Sequence, residues 1–130
     1  MITVTSGILK GIGLQTPKGL KTRPSTSKLR QAILNVLRNY IGTAGSPILE
    51  NAVVADLFCG SGAFGIEAIS NGANEVWFVE SNKHALKVIK DNILSTLNHL
   101  KAQNLTLPKV HIFSQSIEAA YPDLSLCHVL

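Results

Sequence analysis

The sequence has 130 residues, 45% of them hydrophobic, with twelve basic and eight acidic side chains and a net charge of +4. That length and composition predict a single globular domain able to bury its own core. Cys59 and Cys127 are the only cysteines, which excludes a disulfide scaffold, and no apolar run is long enough to cross a bilayer, so a soluble protein of the reducing cytoplasm is expected, with no membrane partner.

The charge is unevenly spread. Residues 1–49 hold Lys10, Lys18, Lys21, Arg23, Lys28, Arg30 and Arg38 and no acid, whereas the remainder sets five lysines against eight acids. A basic arm beside a mildly acidic body suits a phosphate backbone, because each neutralised phosphate releases condensed counterions. A merely solvated surface is the alternative. His84, His99, His111 and His128 are scattered, with no pair at ligand spacing, so no metal is expected.

In chain order, residues 2–16 alternate loosely, with Gly7, Gly11 and Gly13 among Ile2, Val4, Ile8, Ile12 and Leu14. A short glycine-bent hairpin ending at Pro17-Lys18-Gly19 is predicted. The polar stretch Thr22–Ser27 leads into Leu29, Ala32, Ile33, Val36, Leu37 and Tyr40, whose spacing predicts a helix with those residues on its buried stripe. Ser25 or Thr26 would cap it and Gly42 stop it. Gly45-Ser46-Pro47 reads as a connection. Ala52–Phe58 is apolar apart from Asp56, as in a strand buried on both faces of a parallel sheet. A short helix from about Ala63 to Asn71, ended by Gly72, comes next. Glu75–Glu80 is a second strand, and Ser81 or Asn82 caps a longer helix that buries Leu86, Ile89, Ile93, Leu97 and Leu100. Val110–Phe113 is a third strand, Ile117–Ala120 a helical turn, and Leu126–Leu130 the start of a fourth strand. Strand and helix alternate from residue 52 onward, so the class is α/β with a parallel sheet. Residues 1–48 are expected to form a basic hairpin-and-helix extension, and residues 49–130 the sheet domain.

The turn after the first of these parallel strands carries the chemistry. Gly60-Ser61-Gly62-Ala63-Phe64-Gly65 matches G-x-G-x-x-G, in which glycines let a ligand approach the backbone; alone this is a weak dinucleotide signal. Two acids divide the possibilities. Glu80, at the end of the second strand, is placed to accept hydrogen bonds from both ribose hydroxyls of a nucleoside, which suits NAD and S-adenosyl-L-methionine equally. Asp56, four residues before Gly60, would repel a pyrophosphate and attract a cationic amino group. Each residue also has a structural reading: Asp56 capping the next turn, Glu80 capping the next helix, the glycines allowing tight packing. Cys59 reads as a small loop residue rather than a nucleophile, and Trp77 as core rather than a base-stacking platform.

The stretch Asp56-Leu57-Phe58-Cys59-Gly60-Ser61-Gly62, followed by Phe64-Gly65-Ile66-Glu67-Ala68 and Gly72-Ala73, resembles the bacterial small-subunit rRNA guanine-N2 methyltransferases. Ser6-Gly7, Lys10-Gly11, Thr22-Arg23-Pro24-Ser25-Thr26 and Ala32-Ile33-Leu34-Asn35 are similar to that family's N-terminal signature. The resemblance implies a Rossmann-like S-adenosylmethionine-dependent methyltransferase fold. It places Asp56, Phe58, Cys59, Gly60, Ser61 and Gly62 at the methionine end of the cofactor, Glu80 and Ser81 at the ribose, and Ser116 and Ile117 beside the adenine. Ser116 stands where the family usually has an acid or amide. Lys10, Lys21, Thr22, Arg23 and Lys28 would face small-subunit rRNA or an assembling ribosomal subunit. The family's Asp-Pro-Pro-Tyr-type motif, which holds the acceptor amine, is expected beyond Leu130. The catalytic residues are therefore unassigned; the resemblance runs over nearly the whole chain and corresponds to the N-terminal portion of the family's proteins. The chain on its own is expected to bind cofactor with little or no turnover, and the sheet, cut at its fourth strand, to leave an edge open to self-association. Three alternatives remain open: a methyltransferase for another substrate, an NAD-dependent oxidoreductase, and a non-catalytic RNA-binding module.

Overall fold

A computed structural model describes residues 2–18, 27–41, 47, 49–57, 60–114 and 128–129. The chain opens with two short antiparallel strands, β1 (Ile2–Thr3) and β2 (Gly13–Leu14), with Ile2 opposite Leu14. The hairpin continues past the strands, since Val4 N–H donates to the Ile12 carbonyl at 3.0 Å and Gly11 N–H to the Val4 carbonyl at 2.8 Å. The glycine-bent hairpin read from the sequence is therefore present. Helix α1 (Ser27–Ile41) follows, then β3 (Val53–Leu57), α2 (Ala63–Ser70), β4 (Glu75–Val79), α3 (Lys83–Ala102), β5 (Lys109–Phe113) and β6 (His128–Val129).

Strands β3 to β6 form one parallel sheet in the order β5-β4-β3-β6. Asp56 lies beside Phe78 and Leu57 beside Val79, while Val54 and Ala55 pair with His128 and Val129. The fourth strand predicted over Leu126–Leu130 is thus seen at residues 128–129, across β3 from β4. The chain crosses from β5, at one edge, to the far side of β3. That reversal of strand order makes β3 and its following loop a topological switch point, the place where open α/β sheets receive ligands.

Helices α2 and α3 pack on one face of this sheet. Val54, Val76 and Phe78 from the strands meet Ala63, Ile66 and Ile69 of α2 and Ala85, Ile89, Ile93 and Leu100 of α3. The opposite face carries Ala55 and Val79 with Leu57, Trp77 and Phe113 beside them. Trp77 is half-buried there, stacked on His111 (ring centroids 4.0 Å apart) and on Phe113 (5.1 Å), with its indole N–H donated to Glu75. That agrees with a structural part for the tryptophan.

The N-terminal hairpin adds Val4, Leu9 and Leu14 to the same core as the sheet. It is fastened to the end of α2, where Ile8 N–H donates to the Ser70 carbonyl and Leu9 N–H to the Ser70 hydroxyl, both at 2.9 Å. The last carbonyls of a helix lack partners of their own, and the hairpin supplies one donor, the Ile8 N–H, to that of Ser70.

The buried face of α1 differs from the predicted one. Leu29 and Val36 are 51% and 54% exposed and Ala32 is exposed as well, whereas Arg30, Leu34 and the half-buried Leu37 face inward. The helix is rotated from the predicted apolar stripe because Arg30 enters the core. Its guanidinium, 1% exposed, pairs with buried Glu67 of α2 (Nε to Oε1 3.3 Å) and donates to the Thr3 carbonyl at 2.8 Å. Glu67 also accepts from the backbone and hydroxyl of both Thr5 and Ser6. A buried ion pair is tolerated only when its remaining donors and acceptors are met, and this network meets them. The proposed α1 caps Ser25 and Thr26, its stop at Gly42 and the turn over Ile117–Ala120 lie outside the described residues.

Candidate functional site

The site is built where β3 hands over to α2 and β4 to α3. Both junctions open at the same end of the sheet, because β3 and β4 run parallel and in register. Gly62 forms the N-cap of α2 with φ 82°, a left-handed conformation that favours glycine. At Gly65 the reason is space, since a Cβ there would stand 2.2 Å from the Phe78 ring. The third glycine of the motif therefore lets α2 lie close on the sheet, the part that position plays in nucleotide-binding folds.

Asp56 is buried beneath this loop and its Oδ2 accepts the Gly65 N–H at 2.9 Å. The carboxyl thereby satisfies one of the free N–H groups in the first turn of α2, which is the capping part weighed for it from sequence. Burial pushes its pKa up from 3.8 to about 7; the Gly65 hydrogen bond opposes the rise, and the nearby Glu80 carboxylate adds to it. A carboxyl held in that condition gains most from a positive partner, because a cation would offset its lost hydration.

Glu80 reaches across the mouth of the loop. Its Oε1 accepts the Gly60 N–H at 3.1 Å and its Oε2 the Asn82 N–H at 2.9 Å. It thus braces the glycine loop from the neighbouring strand and ties down the residue that caps α3. That cap is Asn82, whose side chain accepts from His84 and Ala85 N–H. Ser81, the other capping candidate, is exposed beside it.

Two further positions were not legible as site residues. Asn92 is buried in α3, and its amide donates to the carbonyls of Ser61 (2.8 Å) and Gln15 (2.9 Å) while its oxygen accepts Gln15 N–H at 2.9 Å. One side chain therefore joins the glycine loop, the helix after β4 and the strand end of the N-terminal hairpin. Glu67 is the second, anchoring the hairpin and α1 to the helix that begins at the loop. The sequence signal for Asn92 is a polar residue on an otherwise apolar helix face; Glu67 stands within the Phe64–Ala68 stretch of the resemblance, with no role attached to it.

The family model described as conserved hypothetical protein 95 matches residues 2–124. The chain belongs to that family. Among its relatives, "Putative rRNA methyltransferase YlbH" of Bacillus subtilis is 36% identical over 90 residues, covering 69% of this chain and 45% of the relative. "Ribosomal RNA small subunit methyltransferase D" of Escherichia coli K12 is 29% identical over 103 residues, covering 79% and 46%. A solved structure of a hypothetical protein from Thermus thermophilus superposes with a TM-score of 0.71 at 27% identity, covering 95% of this chain and 61% of that one. The chain thus spans about half the length of the curated relatives it matches. A solved structure of a "putative RNA methyltransferase" from Pyrococcus horikoshii superposes with a TM-score of 0.58 at 28% identity, covering 82% of this chain and 48% of that one. The α/β architecture is the Rossmann-like fold of the S-adenosylmethionine-dependent methyltransferases, represented here by four parallel strands.

Of the residues singled out from sequence, the fold brings together Asp56, Gly60, Ser61, Gly62, Glu80 and Ser81. Phe58, Cys59, Ser116 and Ile117 lie outside the described residues, as do Lys21, Thr22 and Arg23. Lys10 is exposed on the hairpin turn that meets Ser70, at the end of α2 away from the glycine loop, and Lys28 is exposed in the first turn of α1. Among the described residues no group of three His, Cys, Asp or Glu is placed to hold a metal, and no helix is long and apolar enough to cross a membrane.

Proposed function

We propose that this chain is the cofactor-binding portion of a methyltransferase for small-subunit rRNA, acting on the exocyclic N2 amine of a guanine. The cofactor is S-adenosyl-L-methionine, as expected of methyltransferase relatives. The observation that carries the reading is the pair of acids around the glycine loop, Asp56 buried below it and Glu80 braced against Gly60.

The residues fit such a ligand. Asp56, buried with a raised pKa, is suited to a cationic amino group met directly or through water, and Gly60, half-buried with open space where a Cβ would stand, leaves room for a ligand against the loop. Glu80 holds the Gly60 N–H while keeping carboxylate capacity for two ribose hydroxyls, and Ser81 adjoins it. When bound, S-adenosylmethionine supplies an electrophilic methyl group on sulfur. Asp56, Glu80 and Asn92 tie down Gly65, Gly60 and Ser61 by hydrogen bonds, which would help to fix where a methyl donor sits; such positioning matters because a guanine amine, its lone pair delocalised, is a weak nucleophile. Asp56, below the loop where a pyrophosphate would lie, disfavours that group, which counts against the NAD reading; Glu80 suits either ligand. The basic stretch of residues 1–48, with Lys10, Lys21, Thr22, Arg23 and Lys28, is proposed as the RNA-facing part, and residues 49–130 as the cofactor-binding part.

Nucleoside analysis of small-subunit rRNA tests the reading. RNA from cells lacking the gene should lose one N2-methylguanosine, and the intact gene product should restore it with S-adenosylmethionine as donor. Full retention of every methylated guanosine in the deletion strain would sink the assignment.

A further inference from the structure

The balance of five lysines against eight acids over residues 50–130 conceals a local concentration of positive charge. Lys83, Lys87 and Lys90 recur at intervals of four and three, which puts them on one face of α3. With Leu86, with Ser81 after β4 and with Ser114 after β5, they line an open cleft of about 480 Å³. All three ammonium groups are exposed, and among the described residues none takes part in an ion pair. Like charges one turn apart repel and lower helix stability, so this grouping works against the helix unless an anion answers it. The nearest acids by position are Asp91, exposed next to Lys90 and one turn from Lys87 but in no ion pair with either among the described residues, and Glu80, which is turned to the Gly60 and Asn82 N–H groups.

The cleft begins at Ser81, one residue beyond Glu80, so its upper end adjoins the mouth of the glycine loop. Seven residues of helix span roughly 10 Å, which is longer than one phosphate and matches a short run of consecutive ones. Leu86 provides an apolar floor along which lysine stems can lie, and the Ser81 and Ser114 hydroxyls can donate to phosphate oxygens at the upper end.

We infer that the Lys83-Lys87-Lys90 face is a second RNA-backbone contact, distinct from the basic N-terminal stretch, holding a strand of the substrate beside the cofactor crevice. The inference rests on the reading of the chain as part of an RNA methyltransferase. Positive charge placed here orients the RNA without reading its sequence, as phosphate contacts do.

Binding of a labelled small-subunit rRNA transcript to the full chain, measured across a salt series, tests it. Replacing Lys83, Lys87 and Lys90 together by Gln should weaken binding about tenfold or more at low salt and lower the slope of log K against log salt by about 2, at roughly 0.7 per single-strand phosphate. The corresponding triple Arg variant should keep the wild-type slope, and S-adenosylmethionine affinity should stay within about twofold in both. An unchanged slope in the Gln variant, or an equal loss in the Arg variant, overturns the inference while leaving the methyltransferase reading intact. Polyglutamate that displaces the transcript as well as unlabelled RNA does, at equal charge, overturns it in favour of an acidic polypeptide. A wild-type chain that binds no RNA removes the methyltransferase reading together with the inference.

Discussion

Burying Asp56 without a cationic partner comes at a cost to the fold. Its pKa is raised from 3.8 to about 7, so the folded state binds the proton more tightly than the unfolded chain. Stability from this group is therefore present at low pH and lost as pH rises from about 4 to about 7, by up to ~4 kcal/mol. Asp56→Asn removes that loss and keeps an oxygen for the Gly65 N–H. At about pH 8 its thermal midpoint should lie several degrees above wild type, with the gap closing towards pH 4; a midpoint at or below wild type at the higher pH would show that Asp56 is not held against its ionisation. Asn92 acts by hydrogen bonds alone. Asn92→Leu leaves the Ser61 carbonyl and both Gln15 backbone groups unpaired, at a cost on the order of 3 kcal/mol, and should weaken cofactor binding as well. Thr96→Val breaks only a bond within α3 to the Asn92 carbonyl and should leave cofactor affinity unchanged. Urea unfolding and calorimetry on the pair would separate loop support from general packing, and equal cofactor losses in both variants would refute it.

The elements were legible to different degrees, for physical reasons. Strands β3, β4 and β5 are apolar runs bounded by glycine, proline and asparagine, and each falls within about a residue of its predicted ends. The stripe of α3 was legible at Leu86, Ile89, Ile93 and Leu100 because those side chains bury by their own hydrophobicity. Helix α1 was misread because its orientation is set by Arg30, whose partner Glu67 is 37 residues away and leaves no trace in local periodicity. Arg30→Met, which strands the Glu67 carboxylate, should cost about 3–5 kcal/mol, whereas Lys28→Gln, exposed on the same turn, should stay within about 0.5. Chemical denaturation distinguishes them, and near-equal values would mean that the ion pair does not orient α1. Close packing is equally invisible in a motif. Gly65→Ala would drive its methyl into Phe78 and should destabilise by about 1–3 kcal/mol, with Phe78→Leu in the same chain recovering part of that loss.

At the scale of the molecule, the acids and glycines of the crevice were legible because βα succession fixes where strand ends meet. Asp56 and Glu80, 24 residues apart, were predicted at one crevice edge and lie there. What summation over halves of the chain hid is how charge is distributed. Arg30, counted with the basic arm, is buried in an ion pair, and Lys83, Lys87 and Lys90, counted within an acidic remainder, share an open face. Helical periodicity would have found the lysine face had charges been placed on the helix rather than summed. Calorimetric titration at about pH 8 decides whether this crevice binds a cationic nucleoside through Asp56, as proposed. S-adenosylmethionine should bind the wild-type chain, with affinity falling as pH drops below about 7; Asp56→Asn should weaken it about tenfold or more, and NADH should give no heat. NADH binding without S-adenosylmethionine binding, or an affinity indifferent to both pH and Asp56→Asn, would contradict the proposal.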